Sequence, residues 1–187
     1  MVRIELYDLL GKTQEYIAKY YATALTDEQK HDQLKSYIEK YILDGGFIVH
    51  GFTEDKLIDR LYAEMVEYSI LTPFLGAADL DEININAWDD ITLTYSDGRM
   101  VKLEEHFRSP SHAIDIVKRL LHHSGMIIDN ATPIAQGHLP NNTRITAIKS
   151  PVVDEEAGIS VSIRLLHPQR VDRAHLIKSG MATEEMI

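Results

Sequence analysis

The chain has 187 residues, no cysteine and a formal net charge of −10, enough length for one large domain or two small ones around a buried core. The acidic balance excludes a protein that coats nucleic acid or docks electrostatically on anionic lipid, since both need a surplus of Lys and Arg. Disulfides and thiolate metal sites are excluded outright, no apolar run approaches the roughly 20 residues of a membrane helix, and MVRIELYDLL lacks a signal-peptide core, so a soluble cytoplasmic chain is expected.

The first third predicts helices. After a loosely patterned segment from Ile4 to Leu25, Asp27 can cap a helix in which Leu34, Tyr37, Ile38, Tyr41 and Ile42 follow the i, i+3, i+4, i+7, i+8 rule. Gly45-Gly46 ends it, because glycine accepts the left-handed conformation of many helix C-termini. Thr53 starts the next helix, with Glu54 and Asp55 in its first turn and Leu57, Ile58, Leu61, Tyr62 and Met65 as its apolar stripe, and Pro73 and Gly76 close it. The stripes face a core, and the tyrosines crowded into this region are stripe-edge residues with wet hydroxyls.

At Asp79 the period changes to 2. Ile83 and Ile85 alternate with Asn84 and Asn86, then Ile91, Leu93 and Tyr95 with Thr92 and Thr94. Ser96-Asp97-Gly98-Arg99 supplies a tight turn before Val101 and Leu103. Ser109-Pro110 opens a helix with Ala113, Ile116, Val117, Leu120 and Leu121 on one side and Gly125 at its end. The stretch from Gly125 to Leu165 is rich in turn residues and holds two strands, near Arg144–Ile148 and Ile159–Leu165. A short helix, Asp172 to Lys178, follows. The fold class is therefore α+β: a helical region over 1–76, an antiparallel-sheet domain of PAS-like α+β type with packed helices over 79–168, and a connector over 169–187.

Several chemistries find no footing. Neither a G-x-x-x-x-G-K-[ST] loop nor a G-x-G-x-x-G after a strand occurs, and Gly11-Lys12-Thr13 has no upstream glycine loop to make a phosphate cradle. The chain cannot hold and hydrolyse a nucleoside triphosphate unaided. His122 and His123 are neighbours on a helix, so they point about 100° apart and cannot share a metal. His138 lies among turn residues with no second ligand at chelating spacing, and Glu104-Glu105-His106 reads as a charged hairpin end. No metal site and no G-x-S-x-G elbow is expected.

The arginines of the second half differ from these. Residues 1–143 carry 13 Lys/Arg against 23 Asp/Glu, whereas 144–187 carry 6 against 6, so a small anion meets its best reception there. On strand parity Arg164 shares a face with Ser160 and Ser162, and Arg144 with Thr146. Guanidinium forks framed by hydroxyls suit a phosphate. The alternative is a pair of solvent-exposed arginines, or arginines salt-bridged to Asp129 or to the 154–156 acidic run.

Asp81-Glu82-Ile83-Asn84-Ile85-Asn86, the Ser96-Asp97-Gly98 turn, Asp129, Thr132-Pro133, Leu139-Pro140, Thr143-Arg144-Ile145 and Ser162-Ile163-Arg164 together resemble the N-terminal domain of the type II and type IV secretion ATPases, most closely the type IV secretion and tight-adherence-pilus branch. The resemblance covers residues 79–187. It implies a domain that precedes a RecA-like ATPase domain, helps form a homo-hexamer and closes over ATP and Mg²⁺, with Arg144 and Arg164 reaching the nucleotide phosphates. It further implies a cytoplasmic protein at the inner face of the cell membrane, working with inner-membrane secretion or pilus components to move protein, pilin or conjugative complexes, without direct contact to nucleic acid. On this reading the chain stops in the connector before the motor, and the fragment alone has no catalytic residue and no cofactor. Where the family commonly has Asp-Ala-Arg-Leu-Pro, this chain has Gln136-Gly137-His138-Leu139-Pro140, and Ala87 stands where a glycine often follows the Asn. These departures mark a divergent member. The other reading is a free-standing PAS-like protein-interaction or ligand-sensing module.

Overall fold

A computed structural model describes residues 2–26, 30–140, 143–165, 176–177, 180–181 and 183–186. Strand β1 (Val2–Arg3) pairs in parallel with β2 (Phe47–Ile48), and helices α1 (Leu6–Tyr20), α2 (Thr23–Thr26) and α3 (His31–Gly45) lie between them in sequence, with α4 (Glu54–Val66) following. The segment expected to be loosely patterned is thus mostly one 15-residue helix. Its pattern is obscured by Thr13, which is buried among Leu9, Leu10 and Ile17 and donates its hydroxyl proton to the Leu9 carbonyl at 2.8 Å. A hydroxyl satisfied within its own helix can occupy an apolar face.

Helix α3 ends as its glycines predict, with Gly46 at φ +57°. Asp27, the expected cap, lies outside the described residues, and the helix begins at His31 after Lys30. Thr53 precedes α4 in an extended conformation, but its side chain makes no capping bond. Helix α4 stops at Val66 rather than near Pro73, because Glu67 leaves the helical region (φ −106°, ψ −140°), and the chain then enters a 3-10 turn over Ser69–Leu71 with Ser69 at φ +55°.

Six strands make the main sheet: β3 (Leu80–Ala87), β4 (Asp90–Tyr95), β5 (Met100–Lys102), β6 (Ile134–His138), β7 (Arg144–Lys149) and β8 (Ile159–Arg164), in spatial order β5-β4-β3-β8-β7-β6 with every pairing antiparallel. The fold is α+β. Strand β6 was expected as turn. Its glycine hides the alternation: Gly137 sits on the covered face, where an added Cβ would come 2.5 Å from the Met126 sulfur. Strand β5 is the opposite edge and is exposed throughout, so Val101 does not join the core as its alternation suggested. Of the expected helix over Asp172–Lys178 only Leu176 and Ile177 are described, both helical, and Glu184–Met186 form a 3-10 turn.

Helix α5 (Pro110–His122) covers one face of the sheet. Ser109 caps it by accepting the His112 N–H at 3.2 Å, and Ala113, Ile116, Val117, Leu120 and Leu121 are buried against Ile83, Ile85, Ile145, Val161 and Ile163. Gly158 (φ +81°) lets the start of β8 approach the start of α5, since a Cβ there would fall 2.8 Å from Pro110 Cα. A second apolar cluster forms around Leu9, Ile17, Leu34, Ile38, Ile42, Leu57 and Leu61 of the N-terminal helices.

A buried carboxylate joins the two clusters. Glu64 sits on the inward side of α4, one turn beyond Leu61, with its side chain fully buried. Its Oε1 accepts from Arg60 Nε at 2.9 Å and from Ser69 Oγ at 2.6 Å, and its Oε2 stands 3.0 Å from His112 Nε2 of α5, off the line of a well-formed hydrogen bond. His112 Nδ1 accepts the Arg108 N–H at 3.1 Å, which leaves the ring proton on the nitrogen facing Glu64. Arg119 of α5 donates back to the Glu64 and Glu67 carbonyls at 3.2 and 2.7 Å, the orphan acceptors at the end of α4.

Burial raises the Glu64 pKa, but His112, Ser69 and Arg60 outweigh it and hold the carboxyl below its usual range. A lowered folded-state value means that the stabilisation is full above the unfolded value and is lost as pH falls through the folded one. Urea midpoints followed from about pH 6 to about pH 3 should therefore drop in the wild type. Glu64→Gln should start lower at neutral pH and drop less over that window. Two parallel curves would show that Glu64 contributes nothing to the acid sensitivity.

Candidate functional site

The antiparallel register decides what lies on the open face of the sheet. Residues opposite one another in neighbouring strands point to the same side. Arg144 of β7 is paired with Arg164 of β8, Arg164 with Glu82 of β3, and Arg144 on its other side with His138 of β6. The next row inward reads Gln136, Thr146, Ser162 and Asn84 across the same four strands. The buried residues Ile145, Ala147, Val161 and Ile163 alternate with these and face α5. Strand parity in the sequence therefore put both arginines on the correct side, and the register adds that they are direct neighbours.

Both arginines are exposed. Among the described residues neither guanidinium has a hydrogen-bond or ion-pair partner. Two of the acidic groups considered as partners are engaged elsewhere: Asp129 Oδ1 accepts the Ala131 and Thr132 N–H groups at 2.9 and 2.6 Å, and Glu155 accepts from Ser150 Oγ at 3.3 Å. Glu82 turns to Ser162, whose hydroxyl donates to its Oε1 at 2.8 Å. Like charges directly opposite in a sheet repel, and among the described residues only Glu82, opposite Arg164 on its other side, offsets part of that cost. A tetrahedral oxyanion offers both guanidiniums acceptors at once. With one carboxylate in the row, the face suits phosphate oxygens, and among the described residues it lacks the cluster of oxygen ligands that Mg²⁺ takes.

The other sequence candidates do not converge on this face, apart from His138. Gly11-Lys12-Thr13 lies inside α1, with the Thr13 hydroxyl committed to Leu9. His122 and His123 lie exposed at the end of α5, and His106 packs edge-on against Trp88. Among the described residues no three His, Cys, Asp or Glu side chains stand close enough to hold a metal ion. Among the described residues no helix is long and apolar enough to cross a membrane.

Two clefts lie at the junction of the helices and the sheet domain, away from Arg144 and Arg164. One of about 600 Å³ is lined by Lys35, Asp59, Arg60, Phe74 and Glu105, among others. Another of about 530 Å³ is lined by Tyr7, Glu64, Arg108, His112 and Arg119. Several of their charges are paired: Arg60 Nη1 meets Glu105 at 2.6 Å, Lys35 meets Asp59, and Arg60 meets Glu64. The Glu64 cluster was not foreseen from the sequence. Its signal was an acid at a core-facing position of α4, seven residues after Leu57 and three after Leu61.

No protein-family model matches the chain, and no curated protein does. A crystal structure of the VirB11 ATPase from the Brucella suis type IV secretion system, in complex with sulphate, is similar at a TM-score of 0.49 and 19% identity, covering 61% of this chain and 33% of that one. The match thus spans a third of the VirB11 chain, and a likeness at this level assigns neither membership nor activity.

If the arginine pair has no structural task, removing one member relieves repulsion. Arg144→Thr should leave urea stability unchanged or raise it by about 0.2–1 kcal/mol. A loss greater than about 1 kcal/mol would mark Arg144 as a structural residue.

Proposed function

We propose that this chain is the N-terminal domain of a hexameric secretion or pilus-assembly ATPase of the type IV secretion branch, and that Arg144 and Arg164 contact the phosphates of a nucleotide held by a RecA-like ATPase domain. The observation that carries the reading is the cross-strand pair Arg144–Arg164 on the open polar face, without an ion-pair partner among the described residues and with Thr146 and Ser162 beside it. These are the two positions that the motif resemblance over residues 79–187 singles out. ATP supplies the phosphoryl group, and Mg²⁺ belongs with the ATPase domain, since this face has a donor set for phosphate alone. The arginines bind and orient phosphate oxygens and supply positive charge where negative charge accumulates during phosphoryl transfer. In this proposal the protein acts in the cytoplasm at the inner face of the membrane, with inner-membrane secretion or pilus components as partners, and moves protein, pilin or a conjugative complex.

The test is kinetic. In the protein carrying the ATPase domain, Arg164→Ala should lower ATP turnover by at least about tenfold, with hexamer formation and the melting temperature unchanged. Wild-type turnover in that variant would remove Arg164 from the nucleotide site.

A further inference from the structure

The run Gln136-Gly137-His138 forms an edge strand rather than a turn, and its register sets His138 directly opposite Arg144 on the open face. The row therefore reads His138, Arg144, Arg164, Glu82 across four neighbouring strands. Adjacent strands lie about 4.8 Å apart, so an anion seated between the arginines is within reach of the imidazole. His138 is exposed and, among the described residues, makes no hydrogen bond or ring contact. The groups facing it are Arg144 from β7 and, further along the row, Arg164 from β8 and Glu82 from β3. Strand β6 is the sheet edge, and among the described residues no strand flanks it on the other side.

The fixed charges of the row are two guanidiniums and one carboxylate, a net +1 (2 − 1). A protonated His138 makes it +2 and adds two N–H donors in place of one. Histidine ordinarily changes charge between about pH 5 and about pH 8. Proton binding and anion binding at the row are then linked, each favouring the other.

We propose that His138 is a third anion-contacting residue of this face, and that its protonation tightens the grip on a doubly charged phosphoryl group. The proposal rests on the phosphate reading of Arg144 and Arg164. It gives the face a dependence on pH that a row of arginines alone does not have.

Sulfate is a suitable probe because it remains a dianion across the range, and binding can be followed by the side-chain NMR signals of Arg144 and Arg164 in the 187-residue chain at about pH 6 and about pH 8. The wild type should bind roughly fivefold more tightly at the lower pH, the factor that one positive charge about 8 Å from a dianion supplies in water. His138→Gln should keep the affinity seen at the higher pH and lose the gain. His138→Lys, a permanent cation, should hold the tighter affinity at both values. A His138→Gln protein with the full wild-type gain, or a wild type without any gain, overturns the role of His138 and leaves the arginine pair standing. Arginine signals that ignore sulfate at both pH values overturn both readings.

Discussion

The register of β7 against β8 is the constraint on which the rest depends. In a sheet covered on one face only, a slip by one residue would turn Ile145, Ala147, Val161 and Ile163 to solvent and drive Arg144 and Arg164 into α5. Burial of those four side chains against α5 fixes the pairing. The same pairing forces two guanidiniums to stand opposite one another on the other face. The apolar side of the sheet supplies stability, and the polar side inherits a charge arrangement that folding by itself disfavours.

That contrast separates the two charged clusters of the molecule. At the junction of α4 and α5, Glu64 is buried but met by Arg60, Ser69 and His112. Breaking a buried pair by removing one partner leaves an uncompensated charge. These charges answer one another and hold two apolar clusters together. On the open face of the sheet the two arginines share a row with one carboxylate, Glu82, and form no ion pair among the described residues, which leaves the row with a net positive charge. The clefts at the junction are more concave, yet Arg60, Lys35 and Glu64 in them are already paired, and concavity alone does not specify a ligand.

Much of this was legible in the sequence. Period-2 alternation gave β3, β4, β7 and β8 and the side on which each arginine lies. Ser109-Pro110 gave the start of α5. What escaped had local physical causes. Thr13 satisfies its hydroxyl on its own helix and so masks the stripe of α1. Gly137 replaces a side chain with space for Met126, which erased the alternation of β6. The non-helical backbone of Glu67 ended α4 well before any proline. Cross-strand pairing is a non-local property, so the sequence could place Arg144 and Arg164 on one face but could not make them neighbours. Nor could it bring His138 to their side.

The central claim is that this face meets nucleotide phosphates, and the most direct measurement is a structure of the protein with its ATPase domain and a non-hydrolysable ATP analogue. The account predicts the Arg144 and Arg164 guanidiniums within hydrogen-bond distance, about 3 Å, of phosphate oxygens. Phosphates held by the ATPase domain with this face turned to solvent would contradict it.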